Sequence, residues 1–175
     1  MKEYKEIQVA LLGLGTVGLG VYKVLQMQKE EMQHKIGTEI KIKKILVRNL
    51  EKAAGKIEDA SVLTDSWQEI VNDDEIQIVI EVMGGMEPAR TYIMEAMQAG
   101  KQVVTANKDL IAADGKELMD QAKKSGCDLL FEAAVAGAIP IIRPLKQCLA
   151  GNHLSEIMGI VNGTTNFILT KMAQD

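Results

Sequence analysis

Six residues, Gly13-Leu14-Gly15-Thr16-Val17-Gly18, constrain this chain more than any others. They follow an apolar run from Ile7 to Leu12 and lead without a break into an amphipathic segment. The first stretch reads as a buried strand and the second as a helix. Between a strand and a helix, the G-x-G-x-x-G spacing has a physical meaning. The first glycine permits the tight turn, the second lets backbone approach a pyrophosphate, and the third lets helix and strand pack closely. With a helix starting near Thr16, its free N–H groups and the positive end of its dipole face the phosphates. Three glycines alone can be an ordinary turn. The strand before and the helix after favour dinucleotide binding, with Gly13, Leu14, Gly15, Thr16, Val17 and Gly18 as the contact loop.

The rest of the chain continues the alternation. The first helix is expected from Thr16 to about Met32, with Val17, Val21, Val24, Leu25 and Met32 near one face. Ile40, Ile42, Ile45, Leu46 and Val47 read as a second strand ending at Arg48-Asn49. Leu50 to Gly55 is a short helical or loop piece, and Ser61 to Thr64 a weak third strand. Asp65 or Ser66 would cap a short helix through Val71. Ile76 to Val82 is nearly continuously apolar, as a strand covered on both faces should be. Pro88 suits the first turn of the next helix and Gly100 its C′ position. Val103 to Thr105 forms a fifth strand. A helix from about Gly115 to Lys124 ends in lysines and Gly126. Leu129 to Phe131 forms a sixth strand, closed by Glu132.

This order predicts an α/β fold, a Rossmann-type doubly wound parallel sheet over residues 1–150, with ligands outside the carboxyl ends of the strands. Ile139 to Leu149 is helical in pattern, with Pro140 in the first turn and Pro144 bending the helix. Ile157 to Val161 reads as a strand of a different unit. Residues 151–175 are therefore expected to be the truncated start of a second α/β domain.

Composition excludes several classes of partner. The net charge is −4 and no basic tract is interleaved with aromatics, which argues against nucleic acid. Apolar runs are only strand-length, so no membrane span is expected. The charged start, Met1 to Glu6, is unlike a signal peptide. Cys127 and Cys148 lack companions at metal-ligand spacing and read as buried thiols in a reducing cytoplasm. His34 and His153 are isolated and read as surface or capping residues.

Three side chains stand where chemistry would occur. Arg48 ends the second strand, where an Asp or Glu would bind the ribose of NAD and an Arg would accommodate the 2′-phosphate of NADP. The alternative is a solvated charge at a strand end. Lys108 follows the fifth strand at the crevice edge, near a helix start that opposes its charge. It would donate a proton or polarise a carbonyl, with partial burial expected in that role, or it is an exposed surface lysine. Glu132 precedes Ala133-Ala134-Val135-Ala136-Gly137-Ala138, whose small residues let carbonyls converge. One carboxylate plus carbonyls suits a hard cation, and a tight strand-to-helix turn is the alternative.

Together these pieces resemble one family. Gly13 to Gly18, Val47-Arg48-Asn49, Glu81-Val82-Met83-Gly84-Gly85, Val104-Thr105-Ala106-Asn107-Lys108, Glu132 to Gly137 and Asn162-Gly163-Thr164-Thr165-Asn166 occur in the order found in homoserine dehydrogenase. The resemblance covers nearly the whole chain. It implies NAD(P)-dependent interconversion of aspartate 4-semialdehyde and homoserine, in threonine, methionine and isoleucine biosynthesis. It further implies that Thr16 and Val17 touch the pyrophosphate, and that Met83, Gly84 and Thr105 line the nicotinamide-ribose side. Lys108 would be catalytic and close to the cofactor. Glu132 with the carbonyls of Val135, Gly137 and Ile139 would hold a monovalent cation, sodium. A homodimer or higher assembly of the full-length protein is expected, in the cytoplasm. Family members continue through a substrate domain, so this chain is expected to be catalytically incomplete. Alternatives are another amino-acid or semialdehyde dehydrogenase, such as aspartate dehydrogenase, and a nucleotide-sensing module without catalysis. The Asn107-Lys108 and Asn162 to Thr165 motifs count against the former, and Lys108 against the latter.

Overall fold

The computed structural model describes residues 6–137, 139–160 and 162–174. Strand β1 (Glu6–Leu12) lies between β2 (Glu39–Leu46) and β4 (Ile76–Glu81). With β3 (Leu63–Thr64), β5 (Gln102–Thr105) and β6 (Leu129–Leu130) they form a six-stranded sheet in the order β3-β2-β1-β4-β5-β6. Every pairing is parallel. The chain winds outward from β1 to β3, then returns to place β4 on the other side of β1. That reversal opens a crevice at the carboxyl ends of β1 and β4, where doubly wound sheets bind ligands.

Period-two alternation along β1 divides the core. Ala10 and Leu12 join one buried cluster with Val79, Ile93, Met97, Leu110 and Leu118. Leu11 joins a second with Leu14, Ile45 and Ala53, against which Leu19, Val21 and Leu25 pack. The first cluster is covered by helices α5 (Ala89–Gln98) and α6 (Lys108–Ser125), and the second by α1 (Thr16–Met27). Full burial of side chains such as Leu11 and Leu12 contributes about 1.5–3 kcal/mol each. Among the described residues no helix is long and apolar enough to cross a membrane.

Several local expectations are corrected. The first helix does not run unbroken to Met32. It ends at Met27, and α2 (Lys29–Ile36) follows after Gln28. The apolar stripe stops at Leu25, and the next turn, Gln26 to Glu31, contains only one apolar residue, Met27, which is exposed. With nothing to bury, a straight continuation has no tertiary support. Instead α2 buries no residue, is tied to β2 by the Lys29–Glu39 ion pair at 2.7 Å, and stops at Gly37 in the left-handed region.

Short helices α3 (Leu50–Ala54) and α4 (Gln68–Val71) occur where expected, but neither Asp65 nor Ser66 caps α4. Its N-terminal position is Trp67, without a side-chain cap. Ser61 and Val62 belong to a single 3-10 turn, which leaves β3 only two residues. Helix α6 begins seven residues before the expected Gly115, because the Asn107 side chain accepts the Leu110 N–H at 3.2 Å and caps it. Gly115 lies inside the helix, where an added Cβ would meet only Ile111 Cγ2 at 3.5 Å.

Beyond β6, the expected helix from Ile139 to Leu149 is reduced to Ile142 and Arg143 followed by a π-helical turn, Pro144–Cys148. Pro144 has no N–H, and its carbonyl accepts the Leu149 N–H five residues on, at 3.0 Å. The expected strand from Ile157 is absent among the described residues, and Val161 lies outside them. A strand needs a paired edge, and none is offered there. Helix α7 (Gly163–Gln174) follows, started by Asn162, whose Oδ1 accepts the Thr165 N–H at 2.8 Å. Cys127 is buried as expected, but Cys148 is exposed. His34 and His153 are on the surface.

Candidate dinucleotide site

The glycine loop is locked to its neighbours on both sides. Gly13 takes φ +100°, and its N–H donates to the Leu46 carbonyl at 2.9 Å, extending the β1–β2 pairing by one step. A Cβ on Gly13 would lie 3.2 Å from Met83 Cα, so the loop after β1 packs directly on the loop after β4. A Cβ on Gly18 would lie 2.0 Å from the Gly13 carbonyl oxygen. No residue other than glycine lets α1 start this close to the turn. Gly15 is different: nothing lies within 4 Å of a Cβ there. The two glycines that pack are filled against, and the one expected to face a phosphate opens onto free space.

Helix α1 has no capping side chain and no acidic residue in its first turn. The N–H groups of Thr16 and Val17 therefore lack the side-chain acceptor that the Asn107 cap supplies to α6, and an anion at that end would be stabilised. Both residues are exposed at the helix start, together with Gly15.

A cleft of about 430 Å³ opens in front of this loop. It brings together Gly13, Leu14, Gly15, Arg48 and Met83, all singled out in the sequence. Lys52, Lys56, Asp65 and Tyr92 also line it; the sequence offered Asp65 only as a helix cap and none of the four as a site residue. Arg48 stands two residues beyond β2 and is exposed. Lys52 is one helical turn from it on α3, whose start is capped by Asn49 accepting the Lys52 N–H at 2.8 Å. Lys56 Nζ donates to the Leu14 carbonyl at 3.1 Å and so holds the glycine loop from the side. The β2 side of the cleft is therefore basic. Its far wall includes Tyr92, whose ring stacks on buried Trp67 with centroids 4.5 Å apart. A second cleft of about 450 Å³ lies behind Lys56, between α1 and Gly55 to Glu58, away from the loop after β4.

The ends of β4 and β5 are organised by a carboxylate that sequence reasoning had quoted only as part of a motif. Glu81 is fully buried. Its Oε1 accepts the N–H groups of Met83 at 2.8 Å and Gly84 at 3.3 Å, and its Oε2 accepts the Thr105 hydroxyl at 2.6 Å. Thr105 Oγ1 in turn accepts the Asn107 N–H at 3.0 Å, and Asn107 Nδ2 donates to the Gly85 carbonyl at 2.6 Å. Met83, Gly84, Thr105 and Lys108 thus belong to one connected pair of loops. Lys108 is the first residue of α6 and is exposed, not partly buried. It does not line the cleft described above.

Glu132 lies beyond β6, three strands from the glycine loop. It does not close the sixth strand but opens a short 3-10 turn, Glu132–Ala134. Its Oε1 accepts the N–H of Ile141 at 2.5 Å and of Ile142 at 2.9 Å, and its Oε2 that of Arg143 at 2.9 Å. These bonds, Ile141 first, hold its carboxyl below the usual carboxylate range. Ala136 and Gly137 both take positive φ, 53° and 49°. Val135 is half-buried, Gly137 and Ile139 are exposed, and Ala138 between them lies outside the described residues. Among the described residues no backbone N–H donates to the carbonyls of Val135, Gly137 or Ile139.

Comparison with known proteins gives a consistent set of relatives. The family model described as homoserine dehydrogenase, NAD binding domain, matches residues 13–132, and that described as homoserine dehydrogenase matches residues 140–175. The homoserine dehydrogenase of Bacillus subtilis is 48% identical over 98% of this chain and 40% of its own length. That of Corynebacterium glutamicum is 44% identical over 95% of this chain and 37% of its own. The crystal structure of a homoserine dehydrogenase from Thiobacillus denitrificans superposes with a TM-score of 0.86 at 46% identity, covering 98% of this chain and 39% of that one. A hyperthermophilic archaeal homoserine dehydrogenase in complex with NADPH superposes with a TM-score of 0.78 at 29% identity, covering 97% and 57%. The chain spans about 40% of the length of the curated relatives it matches.

Proposed function

The chain belongs to the homoserine dehydrogenase family, and from that premise we propose that it forms the dinucleotide half of an oxidoreductase interconverting L-aspartate 4-semialdehyde and L-homoserine. The observation that carries this reading is the glycine loop. Gly18 is packed so tightly that no side chain fits and Gly13 takes a positive φ that side chains rarely adopt, while Gly15 opens onto the cleft at the sheet's switch point. A pyrophosphate there would receive the N–H groups of Thr16 and Val17. NADP is preferred to NAD in this reading, because Arg48, Lys52 and Lys56 line one side of the cleft.

When bound, the nicotinamide supplies or accepts the hydride. The protein's part lies with Lys108 at the start of α6. Hydride addition to the semialdehyde puts negative charge on the carbonyl oxygen, which an exposed ammonium stabilises and protonates. Met83 and Gly84 border the space between, whereas Thr105, expected beside them, is fully buried and stands behind that surface. The carbonyls of Val135, Gly137 and Ile139 with Glu132 form an all-oxygen donor set suited to a monovalent cation such as sodium. Glu132 accepts three N–H bonds of the roughly four a carboxylate can take, so carbonyls would supply most of the ligation. The cation's role there is structural, bracing the segment that leaves the sheet.

Residues 1–150 make up the nucleotide-binding unit in this proposal, and 151–175 open the substrate and dimerisation domain. The exposed apolar side chains Ile157, Met158, Ile160, Phe167 and Leu169 accord with that role. The free thiols of Cys127 and Cys148 accord with a cytoplasmic location. Calorimetric titration with NADPH tests the reading. The wild-type chain should bind, and Gly15→Val should abolish binding by filling the open space without touching the core. Unchanged affinity in the variant would refute the assignment of the loop.

A further inference from the structure

Glu81 occupies an unusual place in the sheet. It is the last residue of β4, in register with Leu12 on one side and Thr105 on the other. Leu12 leads directly into the glycine loop, and Thr105 into the turn before α6. A fully buried carboxylate at the centre of a parallel sheet carries a large desolvation penalty unless donors surround it. Here its two oxygens accept three hydrogen bonds, and its backbone carbonyl accepts a fourth, from the Ala106 N–H at 3.2 Å. Both loops at the second half of the crevice are thereby fastened to one residue.

The bonds close into a ring. Glu81 holds the amides of Met83 and Gly84, and Gly84 and Gly85 pass through positive φ, 72° and 76°. The Gly85 carbonyl is held by Asn107, the Asn107 N–H by Thr105, and the Thr105 hydroxyl by Glu81. The ring has a direction. Thr105 Oγ1 accepts from the Asn107 N–H with a lone pair and donates its single proton to Glu81. An amide in place of the carboxylate would turn an NH₂ toward either the loop N–H groups or the Thr105 hydroxyl. Either way a buried donor would be left without an acceptor.

Doubly wound sheets bind a dinucleotide as two mononucleotides, one over each half. The adenosine side lies over β1, β2 and β3, where Arg48 and the basic cleft are. The other mononucleotide lies over β4 and β5, whose ends Glu81 joins. We propose that Glu81 is a positioning residue for the nicotinamide mononucleotide alone, acting through Met83, Gly84 and Thr105 and reaching Lys108 through Asn107. The proposal rests on the dinucleotide reading above. Glu81 is itself inaccessible, so it touches neither cofactor nor substrate and is not a catalytic residue.

Calorimetry with two probes tests it: NADPH, which spans both halves, and adenosine 2′,5′-bisphosphate, which occupies only the adenosine half. The variants are Glu81→Gln, Thr105→Val, which deletes the hydroxyl at constant shape, and Thr105→Ser, which keeps it. Glu81→Gln and Thr105→Val should each weaken NADPH binding by roughly tenfold or more, the scale of losing a charge-assisted hydrogen bond. Both should leave the bisphosphate affinity unchanged, and Thr105→Ser should restore wild-type NADPH binding. If Glu81→Gln does not fold, Thr105→Val carries the same test. Unaltered NADPH affinity, or an equal loss for both probes, overturns the proposal while leaving the dinucleotide reading intact. A wild-type chain that binds neither probe overturns the dinucleotide reading and the proposal with it.

Discussion

Gly18→Ala adds one carbon atom where backbone already stands. The new Cβ would sit 2.0 Å from the Gly13 carbonyl oxygen, 2.9 Å from its carbon and 3.3 Å from Val82 Cγ2. The first distance is roughly 1 Å or more inside ordinary contact. No rotamer relieves it, since both partners are backbone, so α1 must move away from the turn. Overpacking of this kind costs about 1–3 kcal/mol, at the upper end when backbone must shift. The helix propensity of alanine over glycine offsets about 0.5–1 kcal/mol. A net loss of about 2 kcal/mol is expected, which lowers Tm by roughly 4–8 °C for a domain of this size. Displacement of the first turn also spoils hydrogen-bond geometry at the phosphate loop, so NADPH should bind about tenfold more weakly or worse. Gly20→Ala is the internal control. It lies on the same helix with nothing within 4 Å of its Cβ, and should stabilise by about 0.5–1 kcal/mol. Urea denaturation followed by circular dichroism, with calorimetry for the nucleotide, separates the two. If Gly18→Ala proves as stable as Gly20→Ala with unaltered affinity, the close-packing argument is wrong.

Arg48→Ala should cost roughly tenfold to a hundredfold in NADP affinity, the scale of a charge-assisted contact, and leave NAD affinity nearly unchanged; equal losses would make Arg48 structural. Glu132 carries a pH dependence. Its carboxyl lies below the usual range when folded, so its support for the segment after β6 is complete above the ordinary Glu value of about 4.3. That support fades as pH falls through the depressed value. Amide resonances of Ile141, Ile142 and Arg143 should therefore shift together on acidification with a midpoint below about 4.3, and Glu132→Gln should abolish that transition; a midpoint at the ordinary value would count against the bonds. In the full-length enzyme, Lys108→Ala should lower turnover by about a hundredfold or more while weakening NADPH binding only modestly. Near-normal turnover would make it an ordinary surface lysine.

Features that depend on neighbours in sequence could be read from the chain, and features that depend on neighbours in space could not. The six strands were legible because apolar runs and glycine punctuation are local. So was Arg48, because the end of a strand fixes its position. The start of α6 was misread because Gly115 and Asp114 look like breakers, whereas Leu110, Leu118 and Ala122 are buried together on one helical face. Lys56 was missed because its partner, the Leu14 carbonyl, is 42 residues away. Glu81 looked like the polar end of an apolar strand. Its importance comes from Thr105, 24 residues on, which only the parallel pairing of β4 with β5 brings beside it. The residues after Gly137 were the least legible. Ile157, Met158 and Ile160 are exposed in this chain, so their periodicity has no packing partner here to reflect.

The stack of Trp67 on Tyr92 turns the cleft into an optical instrument. Trp67 is the sole tryptophan of the chain, and Tyr92 carries its ring to the cleft wall. All indole emission therefore arises from one rigid site, 3% exposed and hydrogen-bonded through Nε1 to Glu95. Dihydronicotinamide absorbs in the region where indole emits, so a reduced cofactor settling over β4 would quench that emission by energy transfer. An adenosine nucleotide in the same cleft would leave it bright. One native chromophore can thus report not only that the cleft is filled, but whether the ligand that fills it carries a reduced nicotinamide.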